Sequence, residues 1–515
     1  VDIRDETPEE AASDEAELAG FGYRQELRRS LGLFSSFAVA FSYISPSTGI
    51  FALFALGLTT IGGVFFWSWP IVAIGQFLIA LSFAEVASHI PIAGSVYQWS
   101  KYLSGKAHSW FTGWIYLFAG ILTITAVAVT LPYALIPTLN GMGWHLANSL
   151  GNQRLIALVF MVVVTVLNIY GVKVVALINN VGVLFEILGM VVFAFILALF
   201  HNHQGVGVIF HTGGTHGTVG LFLIAMFMSL FVIYGFDTAA TLAEETRNPR
   251  KEAPKAILYS IIGAFVIGGI FIWAILMAIP GSLASGVKGA LGPAAVIDAN
   301  FSNAFATTYL TVVSIAIFIC LLSIQANVMR LCFGMARDEQ LPGSSVLRTV
   351  SPKLHTPWVA CIAVTILAAV PLAQYAGATY LAIAATGLIY LSYFLGGLAI
   401  LRARLNGWPK RDAPFKLGRW GMPVSVLGLA WGGGMLVNFA WPRAASNPTP
   451  YQVVDANGHL QLNFGLSWLN HRPVLWTVLI VIAAVGAAYY GLVQRQKPTH
   501  REAPEGELPT PVTAA

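Results

Sequence analysis

Charge is what this 515-residue chain has little of: Asp, Glu, Lys and Arg together make up 10% of it, against about 25% in soluble globular domains. A soluble surface cannot be built from so few ionised side chains, which excludes soluble enzymes, secreted scaffolds and disordered chains. Cysteine is equally sparse. Cys320, Cys332 and Cys361 all lie in apolar stretches, lack the paired spacing of a zinc or redox site, and read as small core residues. Walker-type glycine loops, nucleophile elbows and metal-protease helices are missing, and no polar stretch is long enough for an ATPase domain. Neither a cofactor nor a metal is expected.

What the chain does have is apolar length. Of its residues 57% are hydrophobic, including 14 Trp and 32 Phe, in runs longer than the roughly 20 residues that cross a bilayer. Such runs must satisfy their own backbone hydrogen bonds in lipid, which predicts an all-α membrane protein. Twelve transmembrane helices are expected, near 33–58, 64–87, 110–137, 155–171, 176–200, 219–244, 256–279, 305–330, 357–376, 379–401, 421–441 and 473–493. Lys and Arg accumulate in cytoplasmic loops. With the N-terminus inside, only Arg154, Lys288, Arg443 and Arg472 of the 28 basic residues fall outside. The reading is a multi-pass protein of the cell membrane with both termini cytoplasmic. The net charge of +5 is explained by that orientation, so no nucleic-acid partner is expected, and nothing in the sequence sets an oligomeric state.

Residues 1–23 predict a disordered acidic cytoplasmic tail, because Asp2, Asp5, Glu6, Glu9, Glu10, Asp14, Glu15 and Glu17 face Arg4 with little to bury. The stretch lacks the basic start and short apolar core of a secretory signal, so insertion is expected to rely on the first span. Residues 24–401 read as a ten-helix core, 402–493 as two peripheral helices, and 494–515 as a second cytoplasmic tail.

Two spans should not be simple helices. The first carries Phe41-Ser42-Tyr43-Ile44-Ser45-Pro46-Ser47-Thr48-Gly49-Ile50 at its middle. Pro46 has no N–H to donate and Gly49 relaxes the backbone, so the helix should break there. Bare amides at Ser47 to Ile50 would then favour an anion, helped by the helix dipole. The sixth span repeats the theme in Tyr234-Gly235-Phe236-Asp237-Thr238. Gly235 can unwind the chain, Asp237 can cap the next half-helix, and the carbonyls around 233–235 would face a cation. Interruptions five spans apart are what an inverted repeat of five plus five helices requires. Tyr43, Tyr234 and Phe236 are candidate aromatic walls.

These motifs resemble those of the amino acid–polyamine–organocation permeases over roughly residues 24 to 440. The resemblance rests on Ser45 to Ile50, on Glu85-Val86-Ala87-Ser88-His89-Ile90-Pro91-Ile92-Ala93-Gly94-Ser95-Val96-Tyr97, and on Tyr234-Gly235-Phe236-Asp237. It continues in Glu244-Glu245-Thr246-Arg247-Asn248-Pro249 and Ala336-Arg337-Asp338-Glu339-Gln340-Leu341-Pro342. It implies a LeuT-type fold, a five-plus-five inverted repeat with two additional helices. Ser323-Ile324-Gln325-Ala326-Asn327 is similar to the branch of amino-acid, choline and γ-aminobutyrate transporters. The resemblance also implies a substrate carboxylate on the first-span amides and its amine near the sixth-span carbonyls.

Glu186 lies about ten residues into the fifth span, roughly 15 Å deep. A carboxylate there costs about 2.5–3.5 kcal/mol to insert, so it should face a partner or a polar cavity. Relatives that couple to protons carry a lysine at a similar position, its ammonium in the place of a sodium ion, and this chain departs from them. Glu186 is left as a proton carrier, a sodium ligand, a counter-charge for an amine, or a neutral acid held between helices. Glu85, Glu244 and Glu245 are expected to tie loops together, and Arg330 to snorkel or pair at a gate. His201, His203, His211 and His216 crowd one loop but are too loosely spaced for a metal site.

The sequence thus reads as a secondary transporter of a small amine-bearing metabolite, an amino acid or γ-aminobutyrate, working by alternating access. The coupling ion is read as a proton rather than sodium, which makes it a symporter. A choline- or polyamine-type carrier and an amino-acid exchanger remain open, as do a channel and a substrate-sensing receptor.

Overall fold

Proline and glycine decide where the helices of this chain stop and start. A computed structural model describes residues 7–374, 378–441 and 474–497. Within them the helices are α1 (Pro8–Gly20), α2 (Leu33–Ile44), α3 (Pro46–Ile61), α4 (Ser68–His89), α5 (Ser95–Leu103), α6 (Lys106–Ala128) and α7 (Leu131–Gly141). They continue with α8 (Leu150–Tyr170), α9 (Val172–Phe200), α10 (Val219–Val232), α11 (Thr238–Thr241), α12 (Pro249–Met277), α13 (Leu283–Lys288) and α14 (Pro293–Asn300). The last are α15 (Asn303–Arg337), α16 (Ser344–Leu347), α17 (Trp358–Ala369), α18 (Ala378–Leu405), α19 (Gly421–Ala440) and α20 (Val474–Leu492). The described residues hold no sheet; Leu31 and Thr246 form an isolated parallel bridge.

Among the described residues eight helical stretches are long and apolar enough to cross a bilayer, and Val219–Val232, Trp358–Ala373 and Trp476–Leu492 are shorter apolar helices. One of the eight, Leu33–His89, has 57 residues, which would run roughly 85 Å if straight. Gly62 ends α3 with φ +64°, and a 3-10 turn over Gly62–Trp67 leads into α4. The third span, expected as one helix, is interrupted too: α6 ends at Ala128 and α7 begins at Leu131 with Pro132 in its first turn. The loop expected between the last two spans, with Arg443 and Arg472, and the tail beyond residue 497 lie outside the described residues.

The acidic N-terminal stretch departs from its expected disorder. Residues 8–20 form α1, started by Pro8 and a capping box in which Thr7 accepts from the Glu10 amide at 3.3 Å and Glu10 accepts from the Thr7 amide at 2.9 Å. Leu18, Phe21 and Tyr23 supply buried apolar surface that the count of acids conceals.

The two broken spans lie side by side and antiparallel, since α3 packs against α10 while α2 packs against α11. Around them α12 packs on α2 and α4, α18 on α6, and α15 on α6, α7 and α9. Gly428 of α19 lies against the backbone of α4 at Ile79, a close approach that small residues permit between helices.

Candidate functional site

The first break follows from Pro46. With no N–H to continue the ladder, α2 ends at Ile44, and Ser45 takes a left-handed conformation with φ +34° before α3 starts on Pro46. Glu186 arrives from α9 at this junction. Its Oε1 accepts from Ser45 Oγ at 2.7 Å, Ser47 Oγ at 2.6 Å and the Ser47 amide at 3.3 Å. Ser45 Oγ also meets Thr48 Oγ1 at 2.7 Å. Glu186 is 3% exposed. The serines that hold it were not foreseen from the sequence. The chain's own carboxylate thus sits where a helix start offers bare amides and partial positive charge.

The second break is centred on Gly235, with φ +90° between the end of α10 at Val232 and the short α11. Asp237 occupies the N-cap position of α11 but makes no side-chain cap bond, which corrects the expected capping role. Its carboxylate turns away because four neighbours supply better donors and support. Ser95 Oγ donates at 2.7 Å, the Tyr116 and Tyr393 hydroxyls donate as well, and Asn327 backs Tyr116 at 3.3 Å. Tyr393 Oη meanwhile accepts from the Gly235 amide at 2.9 Å. This cage satisfies a fully buried carboxylate and pins the unwound segment, so Ser95, Tyr116 and Tyr393 are residues that sequence reading missed.

The breaks touch each other. A Cβ on Gly235 would lie 1.9 Å from the ring of Tyr43, and one on Gly49 would lie 2.3 Å from Val232, so both glycines permit a close approach that no other residue fits. Tyr43 and Tyr234 pack edge to face with centroids 6.1 Å apart. Between them is a cavity of about 10 Å³ whose walls include Tyr43, Thr48, Gly49, Thr123, Tyr234 and Cys320. That is room for about one water, so a larger solute requires the walls to move. Tyr43 Oη is buried there without a hydrogen-bond partner among the described residues. Ser45, Ser47, Ile50, Phe236 and Asp237 stand behind this lining, and Phe236 packs on Phe83 and Tyr393 rather than forming a wall.

Ion pairs close one end of the bundle. Arg330 is fully buried and bidentate to Glu245 at 2.5 and 2.9 Å, so it does not snorkel. Arg337 is bidentate to Glu244 at 2.9 and 2.7 Å, and Glu244 also accepts from the Ala93 amide at 3.1 Å. Arg404 pairs with Glu85, and Lys101 with Asp338 at 2.8 Å. Burial pulls the Lys101 ammonium below its usual range against the opposing effect of Asp338. Near the start of α15, at the other end of that helix, a cavity of about 740 Å³ opens between α7, α14 and α15, lined by Tyr133, Asn140, Asp298 and Asn303.

Residues 31–454 match the family described as "Amino acid permease". The chain is similar to the amino-acid permease BAT1 of Arabidopsis thaliana, 27% identical over 84% of the chain and 89% of that protein. Its similarity to the BAT1 homolog of Oryza sativa subsp. japonica is also 27%, covering 88% and 93%. With the branched-chain amino acid permease BcaP of Bacillus subtilis (strain 168) it is 29% identical over 67% of the chain and 74% of the relative.

Proposed function

The chain belongs to the amino acid permease family, and from that membership we propose that it is a proton-coupled carrier of an α-amino acid or γ-aminobutyrate working by alternating access. Family membership makes it a multi-pass membrane transporter and not an enzyme. In this reading the eight long stretches, the fold-back after α3 and the three shorter apolar helices make twelve crossings. The first ten form the five-plus-five inverted repeat. The end sealed by ion pairs faces the cytoplasm, as the distribution of Lys and Arg requires, and carries both termini.

The substrate carboxylate binds at the start of α3 and its ammonium near the carbonyls of 233–235, the arrangement that half-helix ends favour. The observation that carries this reading is the set of donors from Ser45 and Ser47 already gathered on one carboxylate. Two carboxylates repel at that distance unless one is protonated. A substrate carboxylate therefore takes these donors only when Glu186 accepts a proton and moves aside, and that exchange links the proton to the solute. A solute with no carboxylate has no use for these donors, which argues against choline.

Reconstituted liposomes test the reading. Preloaded vesicles should accumulate labelled amino acid by saturable counterflow. Flux that rises linearly with concentration would identify a channel, and binding without flux a receptor; either would overturn the carrier reading.

A further inference from the structure

The N-terminal segment does not leave the bundle but runs across its sealed end. Asp14 of α1 accepts from the Asn248 amide at 2.9 Å and lies 3.6 Å from Arg29. Glu17 pairs with Arg250 at 3.2 Å. Phe21 then sets its ring edge-on to Tyr102 at 5.4 Å. Tyr23 reaches the gate itself. Its hydroxyl donates to Asp338 at 2.7 Å and accepts from Lys101, while the Arg337 guanidinium lies 3.9 Å from the centre of its ring. Burial and the Asp338 charge push the Tyr23 phenol well above its usual range, so it remains a donor. Farther along, Gln25 donates to the Glu244 carbonyl at 2.8 Å, and the Ser30 and Leu31 amides donate to the Glu245 carbonyl at 2.9 and 3.0 Å.

One short segment therefore bonds α5, the end of α15 and the end of the sixth span, the elements whose ion pairs close this face. Those elements cannot separate while the bonds persist, because Tyr23 shares Asp338 with Lys101 and covers the Arg337 that holds Glu244. We propose that residues 8–31 are an inhibitory strap that locks the ion-paired gate, and that its release precedes opening on that side. The burial of Asp14 and Tyr23 distinguishes the strap from a tail resting on the surface, and the pairing of an acidic helix with Arg29 and Arg250 sets its register. The proposal rests on the alternating-access reading, but it is tested by distances that need no substrate.

In the full-length chain, with the three buried cysteines replaced, nitroxides at Lys255→Cys and Val346→Cys report the separation of the two sides of the gate by electron–electron resonance. Tyr23→Phe keeps the ring beneath Arg337 and removes only the hydroxyl bridge. Glu17→Arg repels Arg250. Each should raise the long-distance population by about fivefold or more, the low end of typical coupling between sites. Glu17→Arg combined with Arg250→Glu should restore the parent distribution. Parent-like distances in both single variants, or a shift that the charge swap fails to reverse, would overturn the strap.

Discussion

Glu186→Gln should leave amino-acid counterflow running and abolish accumulation driven by a pH gradient. Glutamine has the shape of glutamate and can still accept from Ser45 and Ser47, which donate to Oε1 at 2.7 and 2.6 Å, so the first break stays packed. It can neither gain nor lose a proton. One pH unit corresponds to about 1.36 kcal/mol, and hence to about a tenfold concentration ratio at one proton per substrate. Wild-type vesicles under such a gradient should approach that ratio, and the variant should stay near equality. The sign follows from the exchange at Ser47: lower pH on the loading side favours neutral Glu186, frees the donors and tightens substrate binding. In the variant, binding should be flat with pH. An unchanged accumulation ratio would remove Glu186 from coupling.

The largest effect on stability is expected at the gate. Arg330 is fully buried and makes two bonds to Glu245 and one of 2.8 Å to the Ala326 carbonyl. Arg330→Met strands the Glu245 carboxylate in the interior next to Glu244, and removing one partner of a buried pair typically costs about 3–5 kcal/mol. Replacing both partners, as in Arg330→Met with Glu245→Leu, leaves no orphaned charge and should recover most of that loss. Thermal unfolding of purified protein reads both variants. A single variant as stable as wild type would mean that the pair does not hold this end shut.

How much of this was legible depended on whether a feature was local. Pro46 and Gly235 announce their breaks because a missing donor and a free backbone act within a few residues, and the boundaries of α2, α3 and α10 follow. The interruption between α6 and α7 carried a weaker local sign in Pro132, and it was passed over within an apolar run. Glu186 was flagged by its depth, yet its partners were out of reach: Ser45 and Ser47 lie some 140 residues away in sequence, and only packing joins α9 to the first break. The same holds for Asp237, whose donors come from α5, α6 and α18. A local rule named it a cap, and three hydroxyls brought by tertiary structure outcompeted the amides. At the N-terminus composition misled, because a count of acids hides a capping box at Thr7 and the anchors Leu18, Phe21 and Tyr23. The ion pairs had a partial sign in the positions of Glu85, Glu244 and Glu245 at helix ends, but nothing local matched each to its arginine.

The central claim is that a substrate carboxylate and Glu186 compete for the donors at the start of α3. A structure determined with a transported amino acid bound tests it most directly. The account predicts the substrate carboxylate within hydrogen-bonding distance of the Ser47 amide, with the Glu186 side chain withdrawn from both serines. Substrate density elsewhere, with Glu186 still held by Ser45 and Ser47, would contradict it.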